Sequence, residues 1–315
     1  MKFVINGSSA NLPYDVSGNP VGNASLTFAQ VLSESGAVTT GTPNYASCEK
    51  IVDAGAWIGP GEYQLTDSGG AVLNVICSGA APAPVPTYPG CDTKDIVLTN
   101  GQRWAACNAG ARSAYVGQAI PTGRVPNDTE KAYLGAFYQW GRNVDVTNAA
   151  AVTGSLSAAT AASETRFITN GSSPYDWLSV QDDNLWGGGS SSMNSGTFAS
   201  QPAANQVAMA GPCAPGYHVP TTLEWASAAA NITGFATGAT VTDQTKRDLF
   251  VATLKLPLAG YRVYTTGNYY GPWGYYWMSS PSGTYGYYVL VSTTDVYNAN
   301  GNPRAYGYSV RCLAN

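Results

Sequence analysis

An α+β architecture, with a small mostly-β domain ahead of a larger mixed one, is predicted by three features of this 315-residue chain. Short β-type runs punctuated by Gly, Pro and Asn fill the first 77 residues. A Pro/Ala stretch, SGAAPAPVPTYPG from Ser78 to Gly90, cannot join a sheet interior and favours an extended spacer. Beyond it, capped helical segments alternate with strand-like runs. The predicted division is therefore residues 1–77 as a β-rich attachment or oligomerisation domain, 78–90 as linker, and 91–315 as the second domain.

In the first domain the β-type runs are Lys2 to Ile5, Ala24 to Phe28, Glu62 to Leu65 and Ala71 to Ile76, with one helical piece near Phe28 to Ser33. The second domain opens with a hairpin, because Asp95 to Leu98 and Gln102 to Cys107 flank Asn100-Gly101, whose residues tolerate the positive φ of a tight turn. Asn127, Asp128 and Thr129 can cap a helix that carries Tyr133, Phe137 and Trp140 on one face. Thr221 and Glu224 form a capping box after Pro220 and start a second helix at TTLEWASAAA. A third is expected from Asp243 to about Leu254. The stretch from Val146 to Gly211 shows little periodicity and reads as irregular.

Only 11% of the residues are charged, against about 25% in an ordinary globular domain. Apolar residues still reach 44%, so a core can form and the polarity must come from uncharged groups. A net charge of −4 leaves no basic face for phosphates, which argues against nucleic acid as a partner. No apolar run approaches the ~18 residues of a membrane span, and the first residues lack a secretory apolar core, so membrane insertion is not expected. A single histidine, His218, removes most metal and triad chemistry, and in GYHVP it reads as a hydrogen-bonded structural residue. Asp182, Asp183 and Asn184 do not have calcium-loop spacing and read as a solvated turn. No metal, no cofactor and no catalytic residue is predicted. Six cysteines without a CxxC pair leave two readings open, buried free thiols or the disulfides Cys48–Cys77, Cys91–Cys107 and Cys213–Cys312.

Tyrosine is concentrated at the C-terminal end, where 12 of the 21 tyrosines fall between Tyr261 and Tyr308. The only charged residues there are Arg262, Asp295 and Arg304, and Lys, Glu and Gln are absent. Tyr with Gly, Ser and Asn is the mixture of antibody-type binding loops, a rigid amphipathic ring beside adaptable hydrogen-bonding groups. Residues 274–280 and 285–291 alternate as strands, which lets Trp277, Leu290 and Val310 hold a core while their neighbours face out. TTGNYYGPWG and TTDVYNANGNPRAY read as loops by their Gly, Pro and Asn content.

The segments CAPGYHVPTTLEW (213–225), LAGYR (258–262), GYYWMSS (274–280) and GYSVRC (307–312) carry a resemblance. NGQRWAACN (100–108) and YLGAFYQWGRN (133–143) add an opening hairpin and a first helical region. Together they resemble C-type-lectin-fold domains of the formylglycine-generating-enzyme type. The nearest branch is that of the variable proteins of diversity-generating retroelements and the Fibrobacter-type paralogous surface domain. The resemblance covers about 91–315 and leaves the first 90 residues unassigned. It implies a binding protein whose variable region, about 261–308, is rewritten by adenine-directed mutagenesis. An Asn codon, AAC or AAT, reaches Tyr, Asp, Ser, Gly, Thr, Ala and Arg by changes at A alone, and never Lys, Glu, Gln, Met or Trp.

The ligand-binding residues expected on this reading are Tyr264, Thr265, Asn268, Tyr269, Tyr270, Trp273, Tyr275, Thr284, Tyr285, Tyr297, Asn298, Asn300, Asn302, Arg304 and Tyr306. Trp273 would be a fixed ring. The expected partner is a cell-surface protein or glycan receptor, reached from a virion surface or an extracellular or cell-surface position. Several copies would act together, with a homo-oligomer, a trimer by analogy, supplying avidity. Two alternatives remain. One is a structural virion or surface component without a diversified site. The other is a formylglycine-generating-type enzyme, which depends on paired C-terminal cysteines where this chain has only Cys312.

Overall fold

The computed structural model describes Thr87–Asn315 except residues 125, 188–195 and 266–270, together with the backbone of four strands nearer the N-terminus. With 21% helix and 26% strand the chain is α+β. It divides into two units, Met1–Pro86 and Thr87–Asn315. In the first, β1 (Phe3–Gly7), β2 (Ser25–Leu26), β3 (Gly61–Thr66) and β4 (Val72–Cys77) form one sheet in the order β2-β1-β3-β4, with the three contacts antiparallel. The helical piece near Phe28 to Ser33, residues 78–86 of the spacer and the Cys48–Cys77 pairing lie outside the described residues. The last four residues of the expected linker belong to the second unit. Thr87 bridges to Lys94, and Tyr88 is buried edge-on against Tyr217 with ring centroids 4.9 Å apart.

The second unit is organised by a sheet that joins its first and last strands. β5 (Ile96–Val97) and β6 (Arg103–Asn108) form the expected hairpin, β15 (Arg311–Ala314) pairs antiparallel with β6, and β10 (Tyr217–His218) completes the order β10-β15-β6-β5. Two disulfides brace this region, Cys91–Cys107 and Cys213–Cys312, as paired above. Helix α1 (Asp128–Leu134) starts at an Asn127–Glu130 capping box but ends before Phe137 and Trp140, contrary to the single helical face expected. Gly135 stops it, with φ +82°, and a Cβ there would meet Asn108 Cβ at 2.7 Å. The chain continues instead into β7 (Tyr138–Gln139), which pairs with β14 (Gly307–Tyr308). The stretch expected to be irregular contains the parallel pair β8 (Ala151–Thr153) and β9 (Phe167–Thr169), and the short helices α2 (Ala158–Ala162) and α3 (Ala203–Met209).

Helices α4 (Thr222–Thr233) and α5 (Gln244–Leu254) form where their caps predict, on Thr221 and Asp243. Glu224 closes the α4 capping box and also accepts from the Phe198 N–H at 2.7 Å, while its other oxygen lies 3.1 Å from His218 Nε2. His218 is buried, stacks on Phe198 and reaches Asn315 at 3.0 Å, a structural residue as expected. Burial pushes the Glu224 carboxyl up, but bonds from His218, Phe198 and Thr221 outweigh it and hold the pKa below its ordinary value. A lowered carboxyl stabilises the fold above its unfolded pKa, about 4.3, and that stability is lost as pH falls through the folded value. Glu224→Gln should therefore flatten the acid limb of a urea-midpoint profile between about pH 5 and 3. An unchanged limb would show that the ionised carboxylate contributes nothing.

The third sheet carries the candidate site. β11 (Gly274–Ser282), β12 (Tyr285–Val291) and β13 (Val296–Pro303) run antiparallel in sequence order. The segment containing β13, expected to be a loop, is a strand because β12 supplies partners from Pro303 back to Val296. One face packs Tyr276, Met278, Val289, Val291 and Val296 against Trp225, Phe250 and Leu254 of α4 and α5. The alternation puts Tyr275, Trp277, Tyr288 and Leu290 on the other face. Leu290 was expected in the core and is only partly buried there.

Candidate binding site

Beneath that second face lies an aromatic framework locked to the backbone. Trp277 Nε1 donates to the Tyr138 carbonyl, Trp140 Nε1 to that of Met278 and Trp177 Nε1 to that of Trp140, each at 2.8 Å. Satisfied indoles in a packed core have little freedom to turn. Gly286 of β12 lies against the Trp140 indole, where a Cβ would collide with Cδ1. Arg311, fully buried, spreads its guanidinium over the carbonyls of Ala105 and Leu254 at 2.7 Å and Lys255 at 3.0 Å. It thereby holds the C-terminal end of α5, where a cation is favoured, and burial pushes its pKa down to about 10.

Above this floor a nest of phenols opens towards solvent. Tyr261 sits against Tyr275 and Tyr306 with centroids 4.6 and 5.6 Å away, Tyr264 against Tyr306 at 4.8 Å, and Tyr275 against Tyr288 at 5.6 Å. Fully buried Tyr308 touches Tyr275, Tyr288 and Tyr306 from below. Edge-on and offset contacts of this kind contribute roughly 0.5–1.5 kcal/mol each beyond burial, so the rings stiffen one another. Asn300 stands opposite Tyr288, Tyr297 opposite Leu290, and Asn302 donates to the Tyr308 hydroxyl at 2.6 Å. Among the described residues, the Tyr275, Tyr288 and Tyr306 hydroxyls and the Asn300 amide make no hydrogen bond to protein. Burial first, then the neighbouring phenols, push Tyr288 and Tyr306 up to about 12, and Tyr275 rises for the same reasons. These hydroxyls stay protonated at neutral pH and can both donate and accept.

No family model, curated protein or solved structure matches the chain. Of the expected residues, the fold gathers Tyr264, Tyr275, Asn300, Asn302 and Tyr306 around the nest, with Tyr297 at its edge. Tyr275 and Tyr288 are buried at its base, 8% and 7% exposed. Trp273 is 42% exposed just ahead of β11, and Thr265 is exposed as well. Asn268, Tyr269 and Tyr270 lie outside the described residues. Thr284 is exposed at the β11–β12 turn, the far end of the hairpin from Tyr275.

Three expected residues are corrected. Arg304 is fully buried: it lies 4.3 Å over the Trp140 ring, bonds the carbonyls of Asp182 and Gly283 at 2.9 Å and pairs with Asp183. The Asp182–Asn184 segment is thus a turn clasped by an arginine. Tyr285, three positions before Tyr288, falls on the opposite side of β12 and is half-buried. Asn298 spends its amide on the Ala239 carbonyl at 2.8 Å. Conversely, Tyr261, Tyr288 and Leu290 lie in or beside the nest and are absent from the expected set. The signal for Tyr288 and Leu290 is parity and pairing, since Leu290 pairs with Tyr275, and Tyr288 with Trp277.

Proposed function

We propose that Thr87–Asn315 is a ligand-binding domain, with the exposed face of β11–β13 as its recognition surface. The observation that carries this reading is the stack itself, in which the half-buried Tyr261, Tyr264 and Tyr306 and the Asn300 amide lie over buried Tyr275 and Tyr288 and over indoles fixed by backbone hydrogen bonds. Such a floor keeps its shape when the groups above it change, which suits a surface that is diversified. On this reading the domain has a C-type lectin fold and is the target of a diversity-generating retroelement. The antiparallel closure of β15 on β6, the two capped helices and the Tyr-rich three-stranded sheet support that assignment. The chain would act in several copies, at a virion or cell surface, on a cell-surface receptor. It is not an enzyme on this reading: Cys312 is buried and joined to Cys213 across the sheet, an arrangement that braces the fold.

Sequencing many copies of the gene from one source population tests the proposal position by position. Variation should fall at Tyr264, Tyr275, Tyr288, Asn300, Asn302 and Tyr306, as changes at adenines. Tyr276, Tyr285, Asn298, Arg304 and Tyr308 should stay constant, because each supports the sheet from within or from its other side. Equal constancy in both sets would overturn diversification and leave the structural-component reading. A near-copy of the 3′ end beside a reverse-transcriptase gene is the accompanying genomic expectation.

A further inference from the structure

Resting on that reading, the charge distribution of the face narrows the ligand. Between Tyr261 and Tyr308 the charged side chains are Arg262, Asp295 and Arg304. All three already serve the fold. Arg262 is buried, bonds the Val146 carbonyl and lies 4.1 Å over the Phe167 ring. Arg304 is enclosed and paired with the partly exposed Asp183, and Asp295 accepts from the hydroxyls of Thr294 and Tyr297 at its own turn. What the 261–308 stretch presents around the nest is uncharged: the half-buried phenols Tyr261, Tyr264 and Tyr306, the Asn300 amide and Leu290.

A charged group docking there would shed its water with no counter-charge to meet. An uncharged polyol loses only hydrogen bonds, which hydroxyls and amides that both donate and accept can restore. Its C–H surfaces can also lie on the rings, as apolar groups do on aromatic side chains. We propose that the exposed β11–β13 face binds an uncharged glycan, held by ring contacts and hydroxyl hydrogen bonds, with no bridging metal ion. The last clause follows from the donor set. Calcium takes six to eight oxygens, with carboxylates prominent among them. The 261–308 stretch offers a single carboxylate, Asp295, and it is already engaged.

The test uses the full chain on immobilised galactose-, mannose- and N-acetylglucosamine-terminated glycans, beside sialylated and sulfated forms of the same structures. At least one uncharged glycan should bind, and adding sialate or sulfate to it should weaken binding. The signal should change by less than about twofold between ~0.05 and ~0.5 M NaCl, and equally little with EDTA. Tyr306→Ala and Asn300→Ala should each reduce it about tenfold, as loss of a central contact does. Tyr306→Phe keeps the ring should the alanine variant fail to fold, and it should lose the hydroxyl's share alone. Binding to acidic glycans only, sensitivity to EDTA, or binding to no member of the panel overturns the glycan assignment. If the same variants then abolish attachment to a protease-sensitive receptor on cells, the recognition surface stands and only its ligand class is wrong. If folded variants bind every target as the parent does, the surface assignment fails as well.

Discussion

Arg304→Ala is expected to destabilise the Thr87–Asn315 unit by about 3–5 kcal/mol in urea denaturation, the range for removing one partner of a buried charge pair. The reason lies in what is left behind. Asp183 is partly exposed and can return to water, but Asp176, whose carboxylate lies 4.0 Å from the guanidinium, is 4% exposed. Burial already pushes the Asp176 carboxyl up, and loss of the nearby cation adds to that penalty. The carbonyls of Asp182 and Gly283 lose a donor at the same time, and the Trp140 face loses its cation. Arg304→Lys should recover only part of the loss, since an ammonium cannot span the positions a planar fork reaches. A stable Arg304→Ala protein with impaired attachment would return Arg304 to the recognition set and remove it from the framework beneath the sheet.

The second large effect is expected from removing the Cys213–Cys312 bridge. The cross-linked residues are 99 positions apart in sequence, and the bridge ties the segment before β10 to the last strand. On the loop-closure account a constraint of that span stabilises by roughly 4–5 kcal/mol, whereas the 16-residue span of Cys91–Cys107 contributes about 3. Cys213→Ser combined with Cys312→Ser should therefore lower stability more than Cys91→Ser combined with Cys107→Ser, by about 1–2 kcal/mol in matched denaturation curves. Equal losses would mean that native packing around the bridges, and not chain entropy, sets their contribution.

What could be read from the chain alone divides by the range of the forces involved. The starts of α4 and α5 were legible because their caps, Thr221 with Glu224 and Asp243, act within one turn. The hairpin around Asn100-Gly101 was legible for the same reason. α1 was overextended because Tyr133, Phe137 and Trp140 keep helical spacing while Gly135 between them is pressed against Ala109 and Asn108. That contact is visible only in three dimensions. β13 looked like a loop because its Asn, Gly and Pro content has low strand propensity, and pairing with β12 overrides it. At the candidate site, composition points to a region of the chain but not to a side of the sheet. Tyr285 and Tyr288 are chemically alike, and only their parity on a paired strand separates support from display.

That parity has a further consequence. Along β12, Tyr288 and Leu290 lie on the face that carries the nest while Tyr287, Val289 and Val291 lie against the helices. Exchange of one side chain for another at an outward position is absorbed locally. An added or deleted amino acid inside the strand is different, because it would rotate every later side chain through the sheet and drive polar groups towards Trp225. Any process that renews this surface is therefore free to change letters but not their number.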